Sequence, residues 1–394
     1  MLMALTTAFA LSQAFRTAPA ILAPPLQAEF GLSAQALGLY AGAFHLAFGV
    51  LQLFMGIGID LHGVRRTVLV AFPLAVAGAL LSAAAPSFAV LAAGQVLIGI
   101  GCAPAFLVCT VFIARHFAPE RFAAVSGLVM GIGSVGLLLT GTPLAALVEH
   151  TSWRSGFVAL AAGAAAAWGA ILLLVHEPAA GVPPPPASAA AALRGYGALF
   201  RLPHTAGILL LAFFTYAAFL SLRGLWLGPL LIERHGFSLV QSGHVALAVS
   251  VVGMAAPPLF GRLDPGVARR RAWIIGFTLV CAALFGAMAA NAGAWADAAL
   301  AVALGLVSGY IILQYADVRA AYPASMTGRA MAVFTMAMFV GVAVVQWLTG
   351  AVASAALDLG LPPFGAVLAA LALLLVAAAA AFRWLPAPPR PVSG

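Results

Sequence analysis

The chain contains no lysine: its 18 basic residues are all arginine. Charge of either sign is scarce, with 7% charged against 64% hydrophobic residues, where a soluble domain carries about 25% charged residues. So few charges cannot cover a water-facing surface, which excludes a soluble enzyme, a nucleic-acid-binding domain and a disulfide-stapled secreted module. Cysteine is scarce as well. Cys102, Cys109 and Cys281 sit singly in apolar runs, with no CxxC spacing for zinc and no framework for disulfides. No phosphate-cradling GxxxxGK[ST] stretch occurs, so ATP is not the expected energy source. Acidic residues are missing from the middle of every apolar run. The ten that exist lie at run ends or in loops, with Asp317 the nearest to being buried.

What is present is apolar length. At about 20 residues per bilayer crossing, the chain holds on the order of twelve spans. Gly, Pro and charge clusters divide it at 4–26, 36–59, 68–86, 89–114, 122–147, 154–175, 206–232, 239–261, 271–291, 296–317, 329–355 and 364–384. The expected fold class is an all-α polytopic membrane protein of twelve transmembrane helices. The stretch 176–205 contains GVPPPPASAAAALRGYG and reads as an extended linker. It separates an N-terminal six-helix bundle, 1–175, from a C-terminal one, 206–394. The N-terminus lacks a basic segment and its apolar run continues past Arg16, so a cleavable signal peptide is not expected.

An internal repeat supports two halves. FGLSAQALG at 30–38 resembles HGFSLVQSG at 235–243, an offset of 205 that also relates Pro24 to Pro229. Asp60 with Arg65 and Arg66 corresponds, within two residues, to Asp264 with the arginines at 269–271. Parallel six-span repeats are a transporter architecture, with the substrate site between the halves near the midplane. Fourteen of the 18 arginines fall in segments on one side, and only Arg154 and Arg234 at the other. The positive-inside rule then places both termini in the cytoplasm, as in a bacterial inner membrane protein.

The loop GIGIDLHGVRRTVL, with Gly56, Asp60, Gly63, Arg65 and Arg66, resembles the cytoplasmic signature of the major facilitator superfamily. Leu61 and Val64 stand where that family usually has further basic residues, and GRLDPGVARRR is a more degenerate second copy. GLVMGIGSVGLLLTGTP in span 5 resembles the glycine-rich motif of exporters, and WRSGF at 153–157 is another recurrent string of the family. The resemblance implies the fold of two pseudo-symmetric six-helix bundles and secondary transport. Physically, Asp60 facing loop arginines can latch one half against the other in one state and release it in the next. The competing reading gives Arg65 and Arg66 a topogenic role alone.

Two arginines, Arg16 and Arg223, remain inside apolar segments. An arginine at bilayer depth costs about 2.5–3.5 kcal/mol on insertion scales, so it faces a wet cavity or a partner. The repeat sets Arg16 opposite Ser221, two residues from Arg223, and neither has a carboxylate at the same depth. Converging guanidiniums would make a fork for a carboxylate, phosphate or phosphonate. This resembles the organophosphate and organic-anion exchangers of the superfamily, in which arginines of the first helix of each half clamp the anion. The bland alternative is snorkelling or bonding to carbonyls at a kink.

Around them, Ser12 and Gln13 share a helical face with Arg16, and Tyr216 shares one with Arg223 at i+7. Tyr310, Gln314 and Asp317 form a stripe in span 10. Gln13, Tyr216, Tyr310 and Gln314 are therefore expected beside the substrate, and His45 or Asp317 as proton carriers. His45 as a packing histidine and Asp317 as a paired interfacial carboxylate are the alternatives. The expected function is secondary transport of a small anion, with protons or a counter-anion as coupling partner, acting as a monomer without cofactor, metal or nucleic acid. The alternatives are a proton-coupled exporter of drugs or metabolites, a metal importer using Met331, Met336 and Met338, and a membrane sensor that transports nothing.

Overall fold

The computed structural model describes residues 1–117, 119–176 and 196–388. Glu177, Arg194 and Arg390 lie outside the described residues, as do the side chains of Gly56, Asp60, Arg115, Glu120 and Arg121. The regular structure of the described residues is helical. Among the described residues, eleven helices are long and apolar enough to cross a membrane. Numbered in chain order they are span 2, Ala34–Met55; span 3, His62–Ala83; span 4, Phe88–Ile113; span 5, Leu128–His150; span 6, Trp153–Leu174; span 7, Pro203–Arg234; span 8, Leu239–Arg262; span 9, Val267–Ala289; span 10, Ala294–Ala321; span 11, Met326–Asp358; and span 12, Pro363–Trp384.

Span 1 makes the twelfth crossing and is broken. Leu2–Thr17 and Pro19–Phe30 meet at Ala18, and the second piece carries Pro24 and Pro25 in its interior. Proline removes a helical hydrogen bond and crowds the preceding turn. Pieces of 16 and 12 residues are each too short for a hydrocarbon core of about 30 Å, but in series they cross it. Span 7 starts at Pro203, inside the stretch that the sequence assigns to the linker, because proline is tolerated in the first helical turn. An even number of crossings puts both chain ends on one face of the bundle, the terminal face; the opposite one is the distal face.

The halves repeat each other in geometry as well as in sequence. Ser33 and Ser238 cap spans 2 and 8, their hydroxyls accepting from the N–H of Ala36 and Gln241. At the following turn Gly63 (φ 81°, ψ 169°) and Gly266 (φ 78°, ψ 168°) adopt one conformation, which a side chain would disfavour. Each half has its own aromatic interior, with Phe15, Phe44, Phe72 and Phe157 in the first and Phe285, Phe334 and Phe382 in the second. Val70, Leu173 and Leu373 are exposed, as side chains bathed by acyl chains should be. Between the halves, span 2 lies along span 11 and span 5 along span 8. These two contacts are the seams.

Candidate functional site

Arg16 ends the first piece of span 1 and is 6% exposed. One turn of helix explains its first partners. The Nη1 donates to Gln13 Oε1 at 2.7 Å and the Nη2 to Ser12 Oγ at 3.3 Å, so side chains three and four residues back hold the fork. Its Cζ lies 4.4 Å from the ring centre of Phe48 and 4.7 Å from that of Phe339. The two rings are 4.5 Å apart, so the three centres form a nearly equilateral triangle. Both rings therefore lie to one side of the guanidinium, as a shelf rather than a sandwich. Phe48 belongs to span 2 and Phe339 to span 11, so the shelf is built from both halves. The Arg16 Nε is buried and lacks a partner.

Arg223 is 2% exposed and sits in a π-helical turn, Leu222–Trp226. Its Nε and Nη2 donate to Ser250 Oγ at 3.1 and 2.9 Å, and Nη2 also donates to the Leu137 carbonyl at 3.3 Å. Ser250 spends its own proton on Ala246 O, which leaves the hydroxyl oxygen to accept. Ser250 is in span 8 and Leu137 in span 5 of the other half. Arg223 Nη1 is buried without a partner. Neither arginine meets a carboxylate among the described residues.

Arg16 thus stands at the 2/11 seam and Arg223 at the 5/8 seam, each touching the second helix of its own half and the fifth of the other. They share no partner. The backbones of spans 1 and 7 cross there, Arg16 O facing Gly224. His45 is fully buried in span 2, with Nδ1 paired to Ala41 O at 3.0 Å, and its ring stacks near Phe339. The remaining ring nitrogen, Nε2, faces the buried Gln346 side chain, but neither makes a hydrogen bond of good geometry. Buried polar atoms without partners are costly in a stable protein interior. Their concentration beside Arg16 marks a polar site within an aromatic setting.

Several expected neighbours stand elsewhere. Tyr216 packs edge-on against Phe339, 5.3 Å between ring centres. It belongs with the Arg16 group and not with Arg223, because the π turn after Ser221 re-aims the helix face that i+7 spacing would preserve. Tyr310 bonds to Thr278 of span 9 at 2.8 Å, and Gln314 to Thr215 of span 7 at 3.1 Å. The stripe of span 10 is real, but it faces the interior of the C-terminal half. Asp317 closes that stripe 4.0 Å from Arg271 Nη1. Among the described residues the most buried carboxylate is instead Asp297, fully enclosed near the distal end of span 10 by His235 at 2.8 Å and Arg234 at 3.4 Å. The i, i+3 alternation of a span end gives no sign of this.

In the signature loop the expected latch carboxylate, Asp60, has its side chain outside the described residues, while Arg65 is described. Arg65 donates to the carbonyls of Val175 at 2.6 Å and Leu172 at 3.1 Å, at the end of span 6. These bonds tie span 3 to its own half and not one half to the other. The repeat carries the same device, Arg271 donating to Phe382 O at the end of span 12. Free carbonyls at a helix C-terminus attract cations, which explains both. Arg66 is exposed. Beside Arg271, Arg270 grips Asp264 at 2.6 Å and holds its carboxyl below the ordinary range.

Sequence reasoning passed over Phe48, Phe339 and Ser250. The repeat could have found the last: Ser250 is the counterpart of His45 at the offset of 205.

The Major Facilitator Superfamily profile matches residues 4–345. A hexuronate transporter of Bacillus subtilis (strain 168) is 27% identical over 148 residues, 37% of this chain and 34% of that protein. Efflux pump hmp6 of Hypomyces subiculosus is 29% identical over 133 residues, 33% of this chain and 23% of that protein. The matched stretches therefore span about a quarter to a third of those relatives. Among solved structures, a nucleoside transporter superimposes with TM-score 0.79 at 13% identity, covering 97% of this chain and 98% of the other. A bacterial homologue of the human lysosomal transporter Spinster, inward-facing and unoccupied, gives 0.77 at 18% identity, with 97% and 95% covered. A D-xylose–proton symporter gives 0.73 at 15% identity, with 95% and 96% covered. Identities this low speak for the fold.

Proposed function

The chain belongs to the Major Facilitator Superfamily and is a transporter of small molecules, and we propose that its substrate is a small organic anion bound through Arg16 and Arg223. The observation that carries this reading is the state of Arg16. It is a buried guanidinium inside span 1 with two rings to one side, an unpartnered Nε–H, and no carboxylate among the described residues beside it. Such a charge is expensive in hydrocarbon, and a carboxylate arriving from water supplies the missing counter-charge. A bidentate pair to a guanidinium is among the stronger polar contacts available. The match to a hexuronate transporter, a protein named for an organic acid, agrees with that chemistry.

Transport follows if the halves rock about the site. Arg16 rests on a ring of the second half, and Arg223 holds a carbonyl of the first. An anion that draws Arg223 away from Leu137 loosens one seam as it binds, so occupancy and movement are coupled. Arginines concentrated on the terminal face support cytoplasmic termini in a bacterial inner membrane. His45 and Asp317 remain the candidate proton carriers. Counterflow exchange should persist in His45→Gln and Asp317→Asn while gradient-driven uptake weakens in at least one; unchanged gradient response in both and in the double variant would remove them from that role.

A proton-coupled exporter is the second reading, favoured by the glycine-rich span 5 and the efflux-pump match. Proteoliposome uptake separates the two. Labelled glucuronate, a dicarboxylate or phosphate should accumulate and a lipophilic cation such as tetraphenylphosphonium should not. Transport of the cation alone would reverse the assignment.

A further inference from the structure

The repeat pairs off the contacts that seal the distal face. The N–H of Gln35, second residue of span 2, donates to Ser354 Oγ of span 11 at 3.2 Å. The N–H of Val240, second residue of span 8, donates to Glu149 Oε2 of span 5, also at 3.2 Å. Gln35 and Val240 are 205 residues apart, and so are Glu149 and Ser354. Both bonds cross from one half to the other. One turn further in, Gly38 abuts the Gln346 carbonyl and Gly243 abuts the backbone of Gly141 and Thr142. Gly38 and Gly243 share the offset of 205, and so do Gly141 and Gln346. Two independent pairs of contacts therefore obey one symmetry.

The first turn of a helix has N–H groups without helical acceptors. In spans 2 and 8 the third-residue N–H is taken by the helix's own serine, Ser33 or Ser238. The second-residue N–H is taken by the opposite half. We infer that Glu149 and Ser354 are the two gate residues of the distal face, each closing a seam by capping a helix that belongs to the other half. Opening that face requires spans 2 and 11, and 5 and 8, to part, and both caps then break. The caps differ in strength. Glu149 brings a carboxylate to the positive end of span 8, whereas Ser354 offers a neutral hydroxyl, so the 5/8 seam is the more firmly fastened. Glu149 is exposed and Ser354 half-buried, and they lie away from the arginine site, so the inference stands whatever the substrate is.

The test needs no substrate. Spin labels on Ala84→Cys and Ala292→Cys, exposed positions in the distal loops after spans 3 and 9, report the distance between the halves by pulsed electron resonance. Glu149→Ala should raise the distal-open population about fivefold or more and Ser354→Ala about threefold, the size of effect a lost helix cap gives. Glu149→Gln, which keeps shape and removes charge, should fall between wild type and Glu149→Ala. The exchange double variant E149S/S354E should return towards wild type, since each seam again holds one cap. An unchanged distance distribution in both Glu149 variants would overturn the inference. So would single variants that shift the distribution while the exchange variant shifts it further still.

Discussion

Arg16 and Arg223 occupy corresponding places in the two halves, yet one rests on rings and the other is held by hydrogen bonds. Arg16 lies on the shelf of Phe48 and Phe339, with its fork steadied by Gln13 and Ser12 of its own helix. Arg223 is fastened by Ser250 and by a carbonyl of the opposite half. A ring shelf leaves the hydrogen-bonding edge of a guanidinium available, because attraction to an aromatic face uses no N–H. Hydrogen bonds to a hydroxyl and a carbonyl occupy part of that edge in Arg223, as those to Gln13 and Ser12 of its own helix do in Arg16. The symmetry of the fold therefore delivers two cations to the seams, and local chemistry divides the work between them. Each keeps one buried nitrogen without a partner, Nε in Arg16 and Nη1 in Arg223, but only Arg223 spends a hydrogen bond on the opposite half.

The sharpest way to break this comparison is to change Arg16. Arg16→Lys keeps the charge and loses the planar fork, so uptake should fall about 30-fold or more. Initial rates in proteoliposomes, normalised to protein, measure it. Arg223→Lys should cost about tenfold, because one ammonium cannot serve Ser250, the Leu137 carbonyl and the anion together. Its distinguishing sign is a rise in the reactivity of distal cysteine probes, since a cross-half bond is lost, whereas Arg16→Lys should leave that reactivity near wild type.

Phe339→Leu sharpens the other side of the comparison. It preserves apolar filling and removes one ring of the shelf, a contribution of about 0.5–2 kcal/mol. The KM should rise about threefold to tenfold with little change in the maximal rate. The equivalent change at the 5/8 seam, Ser250→Ala, should instead lower the maximal rate, as it frees Arg223 from its own half.

The smallest effect is expected far from both arginines. The Arg270 guanidinium holds the Asp264 carboxyl below its ordinary pKa. A depressed value means that the stabilisation is present above the unfolded pKa and is lost as pH falls through the folded one. Asp264→Asn should therefore lower thermal stability in detergent at neutral pH, by about 1 kcal/mol, because the half-buried Asp264 still touches solvent and screening limits the pair. Once the pH has fallen through the depressed folded value, the variant and wild type should coincide, since both are then uncharged at that position.

Twelve crossings were legible because apolar length and arginine placement encode them directly. The boundaries that moved are chiefly the start of span 3, read at 68 and found at His62, the end of span 1, read at 26 and found at Phe30, and the start of span 7, drawn back into the linker to Pro203. That Arg16 and Arg223 lie inside helices and not in loops could be read for the same reason. Their direction could not. Side-chain facing depends on helical phase, and the π turn at Leu222–Trp226 alters phase without any residue announcing it. Tyr310 and Gln314 fell on one stripe as expected, but a stripe does not say whether it meets a cavity or a neighbouring helix of the same half. Phe48 and Phe339 were hidden among 25 phenylalanines. Asp297 escaped notice because its partners, Arg234 and His235, come from a different span end.

The central claim is that Arg16 binds an anion, and equilibrium binding to purified protein tests it without assuming direction or coupling. Titration calorimetry with glucuronate, phosphate and tetraphenylphosphonium should give binding of at least one anion and none of the cation, with affinity falling about 30-fold or more in Arg16→Lys at unchanged thermal stability. Equal anion affinity in wild type and Arg16→Lys, or binding of the cation alone, would contradict the account.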